Sequence, residues 1–439
     1  MQEYVDQILE LIEQAGHEAY LVGGSVRDYL LDIPAEDVDL ATSATPEQVK
    51  EIFSFMPVID TGIKHGTVTL LYHQVPFEIT TYRSDSEYSD HRRPDSVSFS
   101  DSITEDLARR DFTMNAMAYH PKKGLIDPFG GSEDLMNGVL KAVGEPAKRF
   151  EEDPLRILRG LRFISRFGLQ VESETDKAMR HHRDLLFFVS AERIFSELKQ
   201  ILLGPAVEQV LLAYPEVFEA IIPELSSMMD FDQQHPHHHK DLWPHTAAVV
   251  AATPEDISLR LAALFHDIAK PEFQTTSEDG RVRYIGHPER SDELSRHILR
   301  NLRADNKTLL EVSQLIRYHD HQLSLRPVKI KEWLQRLGPD LLYKLLDLKE
   351  ADIKGQHPDF RKEKLHHLTE FRKELEIVLH GKAAFTVNSL EIDGHDLIEL
   401  GFPQGRTIGL ILDRLLKEVM QESLPNERQA LIDRAYQLK

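Results

Sequence analysis

The chain has 439 residues and carries 52 Lys and Arg against 73 Asp and Glu, a net charge of −21. That length is too great for one ordinary core and points to about three domains, while the acidic sum excludes indiscriminate coating of nucleic acid, which draws on surplus Lys and Arg. The absence of cysteine excludes disulfides, thiolate zinc sites and a Cys nucleophile, so any metal here is held by oxygen or imidazole.

At the amino terminus, Val5, Ile8, Leu9 and Ile12 share one helical face, and Ala19–Val22 reads as a short strand running into Gly23-Gly24 and a second helix. Such a turn offers free backbone N–H groups, so Gly24 and its neighbours can hold a triphosphate, with Arg27 adding a charge-assisted contact. Asp37 and Asp39 follow in a segment whose alternation points both carboxylates to one face, close enough to share a divalent ion. An acid pair beside a phosphate cradle predicts metal-assisted phosphoryl or nucleotidyl transfer, with Mg2+ as the ion. Between residues 57 and 127, runs such as 66–72, 77–82 and 96–99 alternate and are rich in β-branched and aromatic side chains, which predicts a small mixed α/β domain.

From Glu151 onward the pattern becomes helical almost to the end. A helix beginning near Glu152 is expected to carry Asp153, Arg156, Arg159 and Arg162 at every third residue as one polar stripe. Asp accepts from the exocyclic amine of cytosine or adenine and Arg donates to ring nitrogens or a carbonyl, so the pair imitates a Watson–Crick edge. Residues 141–166 have a net charge of +3, which concentrates basic charge where a nucleotide is read. No stretch approaches about 18 uncharged apolar residues, so neither a signal peptide nor a spanning helix is expected, and the cytoplasm is the expected location.

Leu21-Val-Gly-Gly-Ser-Val-Arg-Asp28 followed by Glu36-Asp-Val-Asp-Leu-Ala-Thr42 resembles the bacterial class II CCA-adding tRNA nucleotidyltransferases and their poly(A) polymerase relatives. Further motifs of that family occur in order: Arg109-Arg-Asp-Phe-Thr-Met-Asn-Ala116, Asp127-Pro-Phe-Gly-Gly131, Glu152-Asp-Pro-Leu-Arg-Ile-Leu-Arg159 and Glu192-Arg-Ile-Phe-Ser-Glu-Leu198. The resemblance implies a polymerase β-like amino-terminal α/β domain with a mixed sheet, then a mostly all-α neck and body. It assigns Asp37 and Asp39 to catalytic Mg2+ and Asp153 and Arg156 to the choice of CTP and ATP. Arg159, Arg162 and Arg110 are assigned to phosphates or sugar, and the tRNA 3′ end is the expected partner. The run 80–94 is similar to the full-length loop needed for the switch to ATP, so CCA addition leads. Addition of the terminal A to CC-ended tRNA is the alternative, ahead of a poly(A) polymerase or a non-catalytic RNA-binding protein.

His245, His266-Asp267 and Asp352 stand in an H…HD…D order that resembles the HD phosphohydrolase superfamily, and a fused HD domain is expected. Two imidazoles and two carboxylates from a helical bundle suit octahedral Mn, Mg, Ni or Fe and would activate water against a phosphoester, as a second or even the main activity. His287, His319 and His321 are candidates for a substrate pocket or second ion, and His235 and His238 for its rim. The carboxy-terminal stretch resembles the helical tail that grips tRNA in this family, with Arg406, Arg414 and Lys417 as candidate phosphate contacts. The expected domains are a head at 1–145, a neck and body at 146–230, an HD-type helical bundle at 231–355 and a helical tail at 356–439, in a monomer or homodimer.

Overall fold

The computed structural model describes residues 2–34, 38–63, 66–85, 97–233, 241–276, 282–381 and 385–438, in two compact units, Met1–Ser226 and Ser227–Lys439. The first unit contains the strands β1 (Ala19–Val22), β2 (Asp39–Thr42), β3 (Val58–Gly62), β4 (Thr67–Tyr72), β5 (Val75–Thr81), β6 (Arg83–Asp85), β7 (Val97–Phe99), β8 (Ala118–His120) and β9 (Gly124–Ile126). Seven of these form a mixed sheet in the order β3-β4-β5-β2-β1-β8-β9, and β6 and β7 pair separately. The expected α/β domain with a mixed sheet is thus present: β2 runs parallel to β5, whereas β1 is antiparallel to both β2 and β8.

All four β1 residues are buried, which fits a central strand covered on both faces. The helix Gln2–Gln14 buries Val5, Ile8, Leu9 and Ile12, each at most 2% exposed, as their spacing predicts. Because Leu21 pairs with Leu40, the antiparallel register carries the glycine turn at the end of β1 to the start of β2, where Asp39 stands.

The expected continuous helix from Glu152 is two helices, Pro146–Glu152 and Leu155–Phe167, and Asp153 lies in an extended break with φ −143 and ψ 97. Pro154 is the cause: its ring disfavours helical geometry at the preceding residue, while its own fixed φ suits the start of a new helix. Arg156, Arg159 and Arg162 stay on the second helix, but Asp153 is not part of their stripe.

The helix Ala191–Leu203 packs along Leu155–Phe167 and ends at Gly204, where a Cβ would stand 2.2 Å from Ser165 Oγ and 2.6 Å from the Ser165 carbonyl carbon. Only a residue without a side chain permits that approach, which Ser165 Oγ fastens by donating to Ile201 O at 2.7 Å. Gly204→Ala is expected to lower unfolding stability by about 1–3 kcal/mol through overpacking, read as a lower urea midpoint at unchanged slope.

The second unit is helical, with Leu242–Ala252, Ile257–Phe265, His287–Asn301, Asn306–Tyr318 and Pro327–Gly355 preceding the tail helices Gly394–Glu399, Arg406–Met420 and Arg428–Gln437. A short antiparallel pair, Thr275–Thr276 with Val282–Arg283, interrupts it, and Pro327–Gly355 kinks at Gly338, with φ 73, before Pro339. The tail has a core of its own around Leu397, Leu415, Leu416 and Leu431. Among the described residues no helix is long and apolar enough to cross a membrane.

Candidate functional site

The first unit holds an open cleft of about 810 Å³ whose lining includes Gly23, Gly24, Arg27, Asp39, Arg110, Asp153, Arg156, Arg159 and Arg162. Every nucleotide-binding residue expected from sequence therefore converges there, and so does Asp39. Asp37 and most of the run 80–94 lie outside the described residues. Arg109, Arg166 and Arg193 bring the arginines in the lining to eight, against the carboxylates of Asp39, Asp111 and Asp153, a field suited to a polyanion.

Gly23 adopts φ +66, and a Cβ on it would lie 2.8 Å from Arg110 Nη1 and 3.7 Å from Asp39 Oδ2. The missing side chain leaves a cradle between a carboxylate and a guanidinium. Asp39 is anchored through its backbone, its N–H donating to Ser25 Oγ at 2.9 Å. A hard carboxylate oxygen bordering this cradle fits a hard divalent cation such as Mg2+.

The arginines are held in place by acids that sequence reasoning had given no role. Asp106, fully buried, receives Arg109 at 2.7 Å on one oxygen and Arg110 at 3.1 Å on the other. Asp111 receives Arg159 at 2.7 Å on Oδ2, and the Phe112 N–H and Asn115 amide on Oδ1. Burial opposes the ionisation of Asp111, yet the Arg159 guanidinium and the Asn115 amide hold its carboxyl well below the usual carboxylate range. Arg162 reaches Glu197 at 3.2 Å, and burial pushes the Glu197 carboxyl up against that pull. Arg27 is buried, with Nε and Nη2 on Asp28 Oδ1 and Nη1 donating to Asn115 Oδ1, and its guanidinium lies over Phe163 and Phe167. It is built into the cavity wall.

Asp153 and Arg156, the pair expected to read the base, are also tethered, though not to each other. Asp153 Oδ2 accepts from Arg193 Nη2 at 2.8 Å, while Arg156 is held by Glu152 and by the carbonyl oxygens of Arg109 and Arg149. Arg193 comes from the Glu192–Leu198 motif, so the readable signal for it was the motif itself, one helix away in space and 40 residues away in sequence.

In the second unit His245, His266, Asp267 and Asp352 meet as their order predicted. His245 Nε2 lies 3.1 Å from Asp352 Oδ1 and 3.9 Å from Asp267 Oδ2, and His266 Nε2 lies 3.0 Å from Asp267 Oδ2. His287 and His319 approach the other Asp267 oxygen at 3.2 and 3.5 Å. His321 does not join them: it is exposed, against Tyr318 and Trp333. His235 and His238 lie outside the described residues. Gly355 ends the helix that carries Asp352, and a Cβ there would be 2.9 Å from His245 Nδ1, so glycine at this point admits the imidazole. Arg406, Arg414 and Lys417 of the tail are exposed, and Arg414 is paired with Glu418 at 3.0 Å.

Comparison with known proteins covers both units. The family model described as "Poly A polymerase head domain" matches residues 19–141, "Probable RNA and SrmB- binding site of polymerase A" matches 168–229, and tRNA nucleotidyltransferase domain 2 matches 285–435. The last match begins beyond His245, His266 and Asp267. The CCA-adding enzyme of Ligilactobacillus salivarius (strain UCC118) is 34% identical over 443 residues, spanning 98% of this chain and 95% of that one. The CCA-adding enzyme of Levilactobacillus brevis is 33% identical over 431 residues, spanning 98% and 96%. Among solved structures, the Bacillus stearothermophilus CCA-adding enzyme in complex with CTP superposes with a TM-score of 0.74 at 29% identity, over 99% of this chain and 98% of that one.

Proposed function

The chain belongs to the CCA-adding enzyme family, and from that premise we propose that it adds C, C and A to the tRNA 3′ end from CTP and ATP without a nucleic-acid template. The observation that carries the reading is the single cavity in which Asp39, the glycine turn, Asp153, Arg156 and a wall of arginines converge. Mg2+ held by Asp37 and Asp39 would supply charge neutralisation and an acidified primer hydroxyl. The protein's own groups do the rest. Arg110, Arg159 and Arg162 bind and orient phosphates and sugar, each kept in position by a buried or half-buried acid. Asp153 accepts from the exocyclic amine shared by cytosine and adenine, and Arg156 donates to the ring, which excludes uracil and guanine by mismatched donors and acceptors. The reaction is expected in the cytoplasm, where tRNA is matured.

The test offers tRNA ending at the discriminator base, at C, or at CC, with CTP, ATP or both. Extension of all three to a CCA end with both nucleotides is the expected result. Extension of only the CC-ended tRNA, by ATP alone, makes the chain an A-adding enzyme, and long A tails make it a poly(A) polymerase.

A second reading is favoured by the second unit's geometry: His245, His266, Asp267 and Asp352 hold one divalent cation, Mn, Mg, Ni or Fe, that activates water against a phosphoester. The four side chains come from three separate stretches of the chain, His266 and Asp267 being adjacent, and their facing nitrogen and oxygen atoms lie 3.0 to 3.9 Å apart.

A further inference from the structure

Within a chain of net charge −21, residues 294–317 carry five Lys and Arg against two acids. They build the free end of a helix hairpin, His287–Asn301 with Asn306–Tyr318. Both acids are engaged locally: Asp305 caps the second helix by accepting from the Thr308 N–H at 2.9 Å and from Thr308 Oγ1 at 2.7 Å, and Glu311 accepts from Lys344 at 2.9 Å. Neither pairs with an arginine among the described residues.

One buried acid positions two of the cations. Asp292 is 1% exposed; its Oδ1 accepts from Arg296 Nε at 2.7 Å, and its Oδ2 accepts from Arg296 Nη2 at 3.1 Å and lies 3.2 Å from Arg317 Nε. Arg296 Nε also donates to Ser313 Oγ at 2.9 Å, which ties the two helices together. A single carboxylate thus serves two guanidiniums and leaves an excess positive charge, while both side chains still reach solvent, at 34% and 47% exposure. Held in this way, they have little freedom left to lose on meeting an anion.

Arg300 follows Arg296 by four residues, on the same face and about 6 Å further along the axis. Arg303 stands just past the helix end with φ 60, its N–H donating to Arg300 O at 3.1 Å. Its charge suits the negative end of the helix, but its backbone does not suit its side chain, since glycine is the residue that a left-handed helix end ordinarily takes. Lys307 is 86% exposed in the first turn of the next helix, where the dipole favours acids. Arg300 and Arg303 are exposed and make no ion pair among the described residues. Cations are therefore kept at this end of the hairpin against local preference.

We propose that Arg296, Arg300, Arg303, Lys307 and Arg317 form a docking surface for the phosphate backbone of a double-helical stem of the RNA substrate, separate from Arg406, Arg414 and Lys417 of the tail. The RNA follows from the reading of the chain as a tRNA nucleotidyltransferase, on which this proposal rests. No Phe, Tyr or Trp occurs in residues 294–317, so the surface offers nothing on which unpaired bases stack. It fits a stem, whose bases are covered and whose phosphates face outward. Leu310 is the one large apolar side chain exposed in that stretch among the described residues, which is too little for insertion into a lipid surface.

The test measures filter binding of the full chain to tRNA lacking its CCA end across a salt series. Arg300→Gln/Arg303→Gly is expected to weaken binding by about 10-fold and to reduce the slope of log K against log salt by about 2, one for each lost phosphate contact. The KM for tRNA rises, while the KM for CTP, turnover at saturating tRNA and the melting curve stay as in the wild type. Arg300→Lys/Arg303→Lys keeps both charges and is expected to keep the slope. Arg290→Gln removes a charge from the same helix where Glu272 and Glu293 already pair with it, at 3.0 and 3.2 Å, and is expected to leave the slope unchanged. An unchanged slope in Arg300→Gln/Arg303→Gly, or an equal loss per charge in Arg290→Gln, overturns the proposal. Equal weakening toward an unstructured RNA overturns the stem as partner, and lost binding to anionic phospholipid vesicles beside an unchanged tRNA slope overturns RNA as partner. A wild type that binds tRNA but extends none overturns the functional reading instead, and the slopes still judge the surface.

Discussion

Asp39→Ala is expected to lower nucleotide incorporation by at least about 10³-fold, a loss of about 4 kcal/mol of transition-state stabilisation, while tRNA binding is retained. Asp39 borders the cradle left by Gly23 and lies in a cavity lined by eight arginines. In the proposed reaction its carboxylate would hold the ion that neutralises the reacting phosphates. Removing that carboxylate removes an interaction that matters most as charge develops in the reaction. Polyanion binding moves the other way, because the arginine wall is intact and one opposing charge has gone. Single-turnover incorporation of CTP into tRNA lacking its CCA end, measured beside filter binding, separates the two effects. Asp39→Asn preserves shape and is expected to fail equally. Retained incorporation by either variant would remove Asp39 from the chemistry.

Much of the first unit was legible because its elements are punctuated locally. Strand β1, the glycine turn and Asp39 follow one another in sequence and meet in space through one antiparallel register. The helical period of Val5, Ile8, Leu9 and Ile12 was equally readable, since burial on one face leaves that trace. Asp153 shows the limit. A three-residue spacing placed it on the arginine stripe, but Pro154 breaks the helix there and turns the carboxylate toward Arg193. The acids that position the arginines were hidden for a different reason. Asp111 and Arg159 are 48 residues apart, as Arg162 and Glu197 are 35 apart, and no local period encodes a pairing made by two elements packing together. In the second unit the order of His and Asp pointed to the four-residue set, while the approach of His287 and His319 to the other Asp267 oxygen appears only when both oxygens are placed.

The acidic total of the chain conceals a comparable economy, most evident at Asp111, whose removal carries the largest expected cost to stability. Asp111 is 7% exposed and pairs with an Arg159 whose side chain is 34% exposed. Truncation to alanine leaves the guanidinium, the Phe112 N–H and the Asn115 amide without their common acceptor. Breaking a buried pair from one side costs about 3–5 kcal/mol, and the partial exposure of Arg159 brings the expected loss for Asp111→Ala to about 2–4 kcal/mol. Asp111→Asn keeps the shape and one acceptor and is expected to cost roughly half as much, because charge-assisted bonds are about twice as strong as neutral ones. The pH dependence gives the sign. The folded-state pKa of Asp111 lies below that of the unfolded chain, so its contribution is complete above about pH 4 and is lost as pH falls toward the folded value. The gap in urea midpoint between wild type and Asp111→Asn should therefore narrow from pH 5 to pH 3. A gap that stays constant or widens in acid would assign the cost to packing. Because Arg159 is the cavity residue that Asp111 holds, both variants are also expected to raise the KM for CTP and ATP more than they lower turnover, as follows when a phosphate-binding cation loses its fixed position but the reacting groups keep theirs.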